Sequence, residues 1–274
     1  MNVIDTPTTT LDIETLPDMR DGALDAFRAA VQENFKAPSD MTKEKACADL
    51  GMTDNDEIKF TSKANALDLW AARFKEEKSE EVAQAEWRKT SFDGSRGRIA
   101  VIGLQFNDES PIAFYRGDYR DPDAEREILT DAFEAIADNF SPQSMRNPLY
   151  VGHYVAQFDL RFLFQRAVIL GIKPPAIIPF QAKPWGDDIF DTMTRWCGAQ
   201  GSIKLDALCA ALGVIGKTEG IDGSMVLDMV LDGRIDDVAD YCCDDVTAAY
   251  RCYRKMTFNP VSVRTPQELC EIPF

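Results

Sequence analysis

The stretch Leu11-Asp12-Ile13-Glu14-Thr15 constrains this chain more than any other. Its β-branched and apolar residues, preceded by Thr8, Thr9 and Thr10, favour a strand, and Pro17 ends it. In a strand, residues i and i+2 share a face. Asp12 and Glu14 therefore project together, while Leu11 and Ile13 point to the opposite side. Two neighbouring carboxylates repel unless a proton or a cation lies between them, and a hard divalent cation such as Mg²⁺ suits ligands that are all oxygen. A lone Asp-x-Glu on a solvent-facing strand is common. The pair gains meaning only if further acids reach it from elsewhere in the chain.

At 274 residues the chain can bury a full core as one large domain. No apolar run approaches the ~20 residues of a membrane span. Residues 1–10 have neither the basic start nor the apolar stretch of a signal peptide. A cytoplasmic protein with no membrane partner is expected. The 7 cysteines, an odd number with no CxxC pair, argue for reduced core thiols rather than disulfides or zinc. A single histidine, His153, excludes mechanisms that need a His pair or a three-His metal site. The formal net charge of −16 works against tight nonspecific grip on nucleic acid, which relies on Lys and Arg; bound metal ions can supply positive charge locally.

After the first strand comes a long region, about 18–95, that is too long for a structureless loop inside a compact domain. It reads as a helical insertion. Leu24, Phe27, Arg28, Val31 and Phe35 follow helical spacing, Ser39 or Asp40 caps a helix stopped at Gly51, and a long Ala-, Glu- and Lys-rich helix covers 64–87. Strands are expected over 98–106 and 112–116, joined by a turn at 108–110. Pro122 and Asp123 open a helix whose Ile128, Leu129, Ala132, Phe133, Ile136 and Phe140 recur at 3.6 spacing. A short strand follows at 149–151, then an apolar helix over 159–170 stopped by Gly171. Further helices are expected over 188–196, 202–212 and 236–256, with an irregular tail at 257–274. The order is that of a mixed α/β sheet: an antiparallel meander joined through a helix to a parallel strand.

Three more positions fall into this frame. Asp159 follows a strand and opens a helix, a place where an acid is also an ordinary N-terminal helix residue. Tyr241 and Asp245 stand at i and i+4 on one helix face, among Val238, Cys242, Val246 and Ala249. Asp245 on that apolar side is costly to bury unless a cation or hydrogen-bond donors meet it. Asp-x-Glu on a strand, Phe158-Asp159 at a strand-to-helix junction, and Tyr241-Cys242-Cys243-Asp244-Asp245 on a late helix come in that order. Together they resemble the DEDDy class of 3′–5′ exonucleases on the ribonuclease H-like (DnaQ-like) fold. The nearest likeness is to a predicted exonuclease family related to the proofreading domain of family B DNA polymerases.

The resemblance implies one exonuclease domain over 1–274, with the helical insertion and the tail outside the shared part. It implies catalytic roles for Asp12, Glu14, Asp159, Tyr241 and Asp245. Two Mg²⁺ or Mn²⁺ ions, ~3.5–4 Å apart in such sites, would be held by Asp12, Glu14 and Asp245 and by Asp12 and Asp159, with Asp12 as the bridge. Tyr241 would orient the attacking water. Thr15, Leu16, His153 and Phe158 are candidate contacts to the substrate. Such families often carry Asn five residues before the central Asp, where this chain has Tyr154. Lys217, in a Gly-containing loop, is a further candidate contact, and Asp191 reads as a helix cap. The implied partner is single-stranded nucleic acid with a free 3′ end, DNA ahead of RNA because of the polymerase kinship, together with a polymerase or another replication or repair protein. The other reading is a non-catalytic member of the fold that binds nucleic acid or protein.

Overall fold

The structure, a computed structural model, describes residues 6–140, 147–216 and 220–259. The chain divides into two compact units. One comprises residues 1–16 and 92–274, the other residues 17–91.

The first unit is built on a five-stranded mixed sheet. Its strands are β1 (Thr8–Leu16), β2 (Arg98–Phe106), β3 (Ile112–Tyr115), β4 (Leu149–Gly152) and β5 (Ile189–Asp191), in the order β3-β2-β1-β4-β5. β1 lies at the centre. It runs antiparallel to β2 over its whole length and parallel to β4 over only Thr8–Thr10. The parity expected from the sequence decides what each face meets. Leu11 and Ile13, with Ile102, Leu104 and Phe106 of β2, pack on α5 (Ala124–Asn139) and α6 (Asp159–Leu170) in the main core. The opposite face, with Asp12 and Glu14, is crossed by α10 (Ile235–Met256). α10 is amphipathic, and its buried stripe includes Val238, Tyr241, Cys242, Asp245, Val246 and Ala249. Between β5 and α10 lie α7 (Thr192–Cys197), α8 (Leu205–Leu212) and α9 (Val226–Leu231).

The second unit contains α1 (Ala23–Asn34), α2 (Lys43–Asp49), α3 (Asn55–Phe60) and α4 (Lys63–Arg88). Its small core gathers Met41, Ala46, Cys47, Ala66 and Trp70, with the indole N–H of Trp70 donating to Asp49 at 3.0 Å. Ser62 caps α4 by accepting from the Asn65 N–H. The charged run in the middle of α4 is largely exposed, as a solvated helix face should be.

Three expectations are corrected. The helix foreseen over 188–196 begins as β5, which pairs with β4 before α7 starts at Thr192. The strand is three residues long and has no period of its own; the edge of β4 selects it. The helix foreseen from Ser202 starts at Leu205, with Lys204 at its N-cap and no side-chain cap. The cap of α2 is Thr42 rather than Ser39 or Asp40. Most of the 257–274 tail, and Lys217, lie outside the described residues. The six cysteines described are free. Among the described residues no helix is long and apolar enough to cross a membrane.

Candidate active site

The site grows out of the open edge of β1. β4 stops pairing after Thr10↔Val151, so the next N–H groups of β1 need other partners. The turn from Gly152 to Phe158 fills the gap and delivers Asp159 at the first position of α6. The Ile13 N–H donates to Asp159 Oδ1 at 3.0 Å. The central acid is thereby tied to the residue between Asp12 and Glu14. Gly152 makes the approach possible: a Cβ there would stand 2.6 Å from Val155 Cβ and 2.8 Å from the Leu11 carbonyl oxygen.

On the sheet's other side the key is Gly103, which pairs with Asp12 across β1 and β2. A Cβ on Gly103 would lie 2.8 Å from Val246 Cγ2 and 2.9 Å from Cys242 Sγ. The bare backbone lets α10 sit close, and Tyr241 and Asp245 come down beside the strand. An isolated Gly inside a strand pattern signals such close approach, and Gly103 carries that signal in the sequence. Gly152→Ala is expected to destabilise the protein by about 1–3 kcal/mol, and by more than Gly103→Ala. A main-chain carbonyl blocks the first, whereas side chains of α10 block the second. Urea denaturation of the two variants measures the difference.

Asp12, Glu14 and Asp245 each present a carboxylate oxygen, and these atoms all lie within 4.8 Å of one another. Glu14, Asp159, Tyr241 and Asp245 are all buried. Burial raises the Asp12 carboxyl well above its usual range, and Asp159, Asp245 and Glu14 push it further up; the Cys242 thiol, 3.5 Å from Asp12 Oδ2, opposes them. Asp159 is pushed up to about 8, first by burial, with Asp191 and Asp245 adding to it against hydrogen bonds that pull it down. The charged groups acting most strongly on Asp12 are all acids. Hard oxygen donors, short spacing and mutual repulsion relieved by positive charge fit a divalent cation. Tyr241 hydrogen-bonds Asp245, and burial, followed by the charges of Asp245, Glu14 and Asp12, raises its phenol far above the usual range. It stays protonated at any working pH.

The remaining sequence candidates have mixed fates. His153 Nε2 lies 2.8 Å from the Ile203 carbonyl and Nδ1 lies 2.9 Å from Thr192 Oγ1. A carbonyl only accepts, so Nε2 carries the proton. Burial holds the imidazole below its usual pKa, and both ring nitrogens are occupied within the fold. Phe158 is half-buried between Phe162 and the exposed Phe92, with ring centroids 5.8 and 6.3 Å away. Thr15 is half-buried beside a register shift in β1, and Leu16 is fully buried. Asp191 does cap α7, accepting from the Thr194 N–H at 2.9 Å, and it also receives the N–H groups of Tyr154 and Ala156 at 3.3 and 3.4 Å. It is wholly buried, so Asp191→Ala would leave three donors without their acceptor. A loss of about 1–3 kcal/mol or more is expected, read as a drop in the urea midpoint.

No curated protein matches this chain. Among solved structures, the family B DNA polymerase from the hyperthermophilic archaeon Pyrobaculum calidifontis aligns with a TM-score of 0.50 at 13% identity, over 92% of this chain and 24% of that one. The chain thus spans about a quarter of the polymerase, and the likeness is one of fold: a ribonuclease H-like mixed sheet with flanking helices. A family model for a predicted 3′–5′ exonuclease related to the exonuclease domain of PolB matches residues 99–268, which include Asp159, Tyr241 and Asp245 and leave β1 outside. The chain belongs to this family of predicted 3′–5′ exonucleases.

Proposed function

We propose that the protein is a two-metal-ion 3′–5′ exonuclease that releases nucleotides from the 3′ end of single-stranded nucleic acid, DNA in preference to RNA. The observation that carries this reading is the convergence of Asp12, Glu14 and Asp245 within 4.8 Å, with Asp159 bonded to the strand between the first two. Asp12, Glu14 and Asp245 would hold one Mg²⁺ or Mn²⁺, and Asp12 and Asp159 a second. Such ions supply the positive charge that favours hydroxide at the attacking water and steadies the leaving 3′ oxygen. Water attacks the last phosphorus, the P–O3′ bond breaks, and a nucleoside 5′-monophosphate leaves behind a new 3′ hydroxyl.

The protein's own groups divide the remaining work. The four carboxylates carry about −4 when ionised, which nearly balances two divalent cations; basic side chains would compete with the ions for the same place. Tyr241, protonated and donating its hydroxyl to Asp245, would accept a hydrogen bond from the attacking water and so fix that water's orientation. It is not a proton acceptor, because its pKa is raised. Tyr241→Phe is therefore expected to lower kcat by about 10²-fold, with KM little changed. A KM effect with kcat intact would assign Tyr241 to substrate grip instead.

The test of the reading is direct. Single-stranded DNA and RNA labelled at the 5′ end are incubated with the protein in Mg²⁺, in Mn²⁺ and in EDTA. A ladder shortening from the 3′ end in metal and absent in EDTA is expected, faster on DNA. Cleavage that persists in EDTA overturns the proposal. Binding of both strands with no cleavage under any condition points to the non-catalytic reading.

A further inference from the structure

A cleft of about 810 Å³ that the proposed chemistry does not use opens against the turn leading to Asp159. One wall is the turn that ends at Asp159, represented by His153, Tyr154 and Gln157; Ser202, Lys204 and Ser224 belong to the others. The volume falls within the roughly 300–1,000 Å³ of clefts that take small organic ligands.

Tyr154 is the unusual residue in that wall. Its φ is +67°, in the left-handed region that L residues with bulky side chains avoid. The surrounding structure enforces it. The Tyr154 and Ala156 N–H groups point to the buried Asp191 carboxylate at 3.3 and 3.4 Å, and the Tyr154 carbonyl accepts from the N–H groups of Gln157 and Phe158 at 3.2 and 3.1 Å. Glycine or asparagine would satisfy this backbone with less strain. The chain instead spends the position on an aromatic ring that stands outside the main core cluster and remains 39% exposed. Strain held in place by its surroundings, at the edge of a cleft, marks a functional side chain.

The charge of the lining says what the ring meets. Among the described residues the cleft lining carries one fixed cation, Lys204, against two acids, Asp206 and Asp222. That lining is poorly suited to tracking a run of phosphates, which needs several Lys or Arg. It offers an aromatic face and neutral hydrogen-bonding groups, such as Gln157, Ser202 and Ser224. Bases have the complementary character: flat apolar faces with polar edges, stacking on aromatic rings whatever the sequence.

We propose that this cleft receives the bases near the 3′ end of a single-stranded nucleic acid and that Tyr154 is the platform on which one of them stacks. The proposal rests on the exonuclease reading and adds how the strand is held by a protein with a net charge of −16: by base faces, with little phosphate clamping.

The experiment uses the full chain and oligodeoxynucleotides that carry 2-aminopurine at successive positions from the 3′ end, bound in Ca²⁺ and in EDTA. Wild type is expected to alter the fluorescence at one or two positions only. Tyr154→Phe keeps that signature; Tyr154→Ala abolishes it and weakens binding about 5- to 150-fold. Tyr154→Gly serves as the folding control. It should melt at or above the wild-type temperature, because the backbone strain is relieved, and should still bind as weakly as Tyr154→Ala. A wild-type chain that degrades the strand from its 3′ end with no position-specific signal overturns the stacking proposal and leaves the exonuclease reading standing. So does a signal that survives in Tyr154→Ala. If Lys204→Ala weakens binding more than Tyr154→Ala does, and flattens its salt dependence, the cleft holds phosphate and the proposal fails. A chain that neither binds nor cleaves overturns both.

Discussion

Asp12→Asn is expected to remove exonuclease activity and, in EDTA, to make the protein more stable. The activity loss follows from position. Asp12 is the carboxylate whose charge is felt with those of Asp159, Asp245 and Glu14 together, and it is the one proposed to serve both ions. Loss of a single electrostatic contact to a transition state costs about 10²–10³-fold in kcat, so a group shared by two ions should cost at least that. Glu14→Gln, proposed to serve one ion, should cost less. The stability gain follows from the same crowding. Without a cation, Asp12 is a half-buried carboxylate pressed by other acids, and an amide of the same shape removes its share of the repulsion. The paired readout is kcat on 5′-labelled single-stranded DNA and the melting temperature in EDTA. A variant with both high activity and lower stability would remove Asp12 from the proposed ion sites and cast it as an ordinary structural residue.

Removing metal should make the protein's stability fall as pH rises, which is the reverse of ordinary acid denaturation. Asp12 and Asp159 are both held above their unfolded values, with burial as the first cause in each case. Between about pH 4 and pH 8, the upper bound being Asp159, the native state keeps protons that the unfolded chain has released. Stability then declines with pH, because it declines wherever the folded state binds more protons. These groups contribute fully below about pH 4 and lose their contribution as pH passes the folded value. A divalent cation replaces the protons, so its effect should grow over the same interval. At a concentration of 100 times Kd an ion adds about 2.7 kcal/mol, which corresponds to roughly 5–10 °C in the melting temperature of a chain this size. The test compares melting curves in EDTA and in excess Mn²⁺ at pH 5.5 and pH 8. The metal-induced rise should be larger at pH 8 and reduced in Asp12→Asn. Equal shifts at both pH values, or none, would sever the acids from ion binding.

Local periodicities carried much of the structure. Two-residue parity placed Asp12 and Glu14 on one face of β1 and Leu11 and Ile13 on the other. Helical spacing put Tyr241 and Asp245 on the buried stripe of α10, and the apolar run after Asp159 ended at Gly171, whose φ is +66°. Each of these depends on neighbours within a turn or two, which a single sequence contains. β5 was missed for the converse reason: three residues become a strand only because β4 offers an edge. Nor does any local pattern show that the Ile203 carbonyl and Thr192, 50 and 39 residues away, engage both ring nitrogens of His153. By itself, then, the sequence determined which acids are available and which face of its element each one occupies. Tertiary structure alone decided that Gly103 and Gly152 bring those faces within a few ångströms, that Asp191 ties down the turn leading to Asp159, and that Tyr154 stands strained at the edge of the cleft. Those outcomes depend on close approach between segments remote in the chain, and periodicity along one segment holds no information about the distance to another.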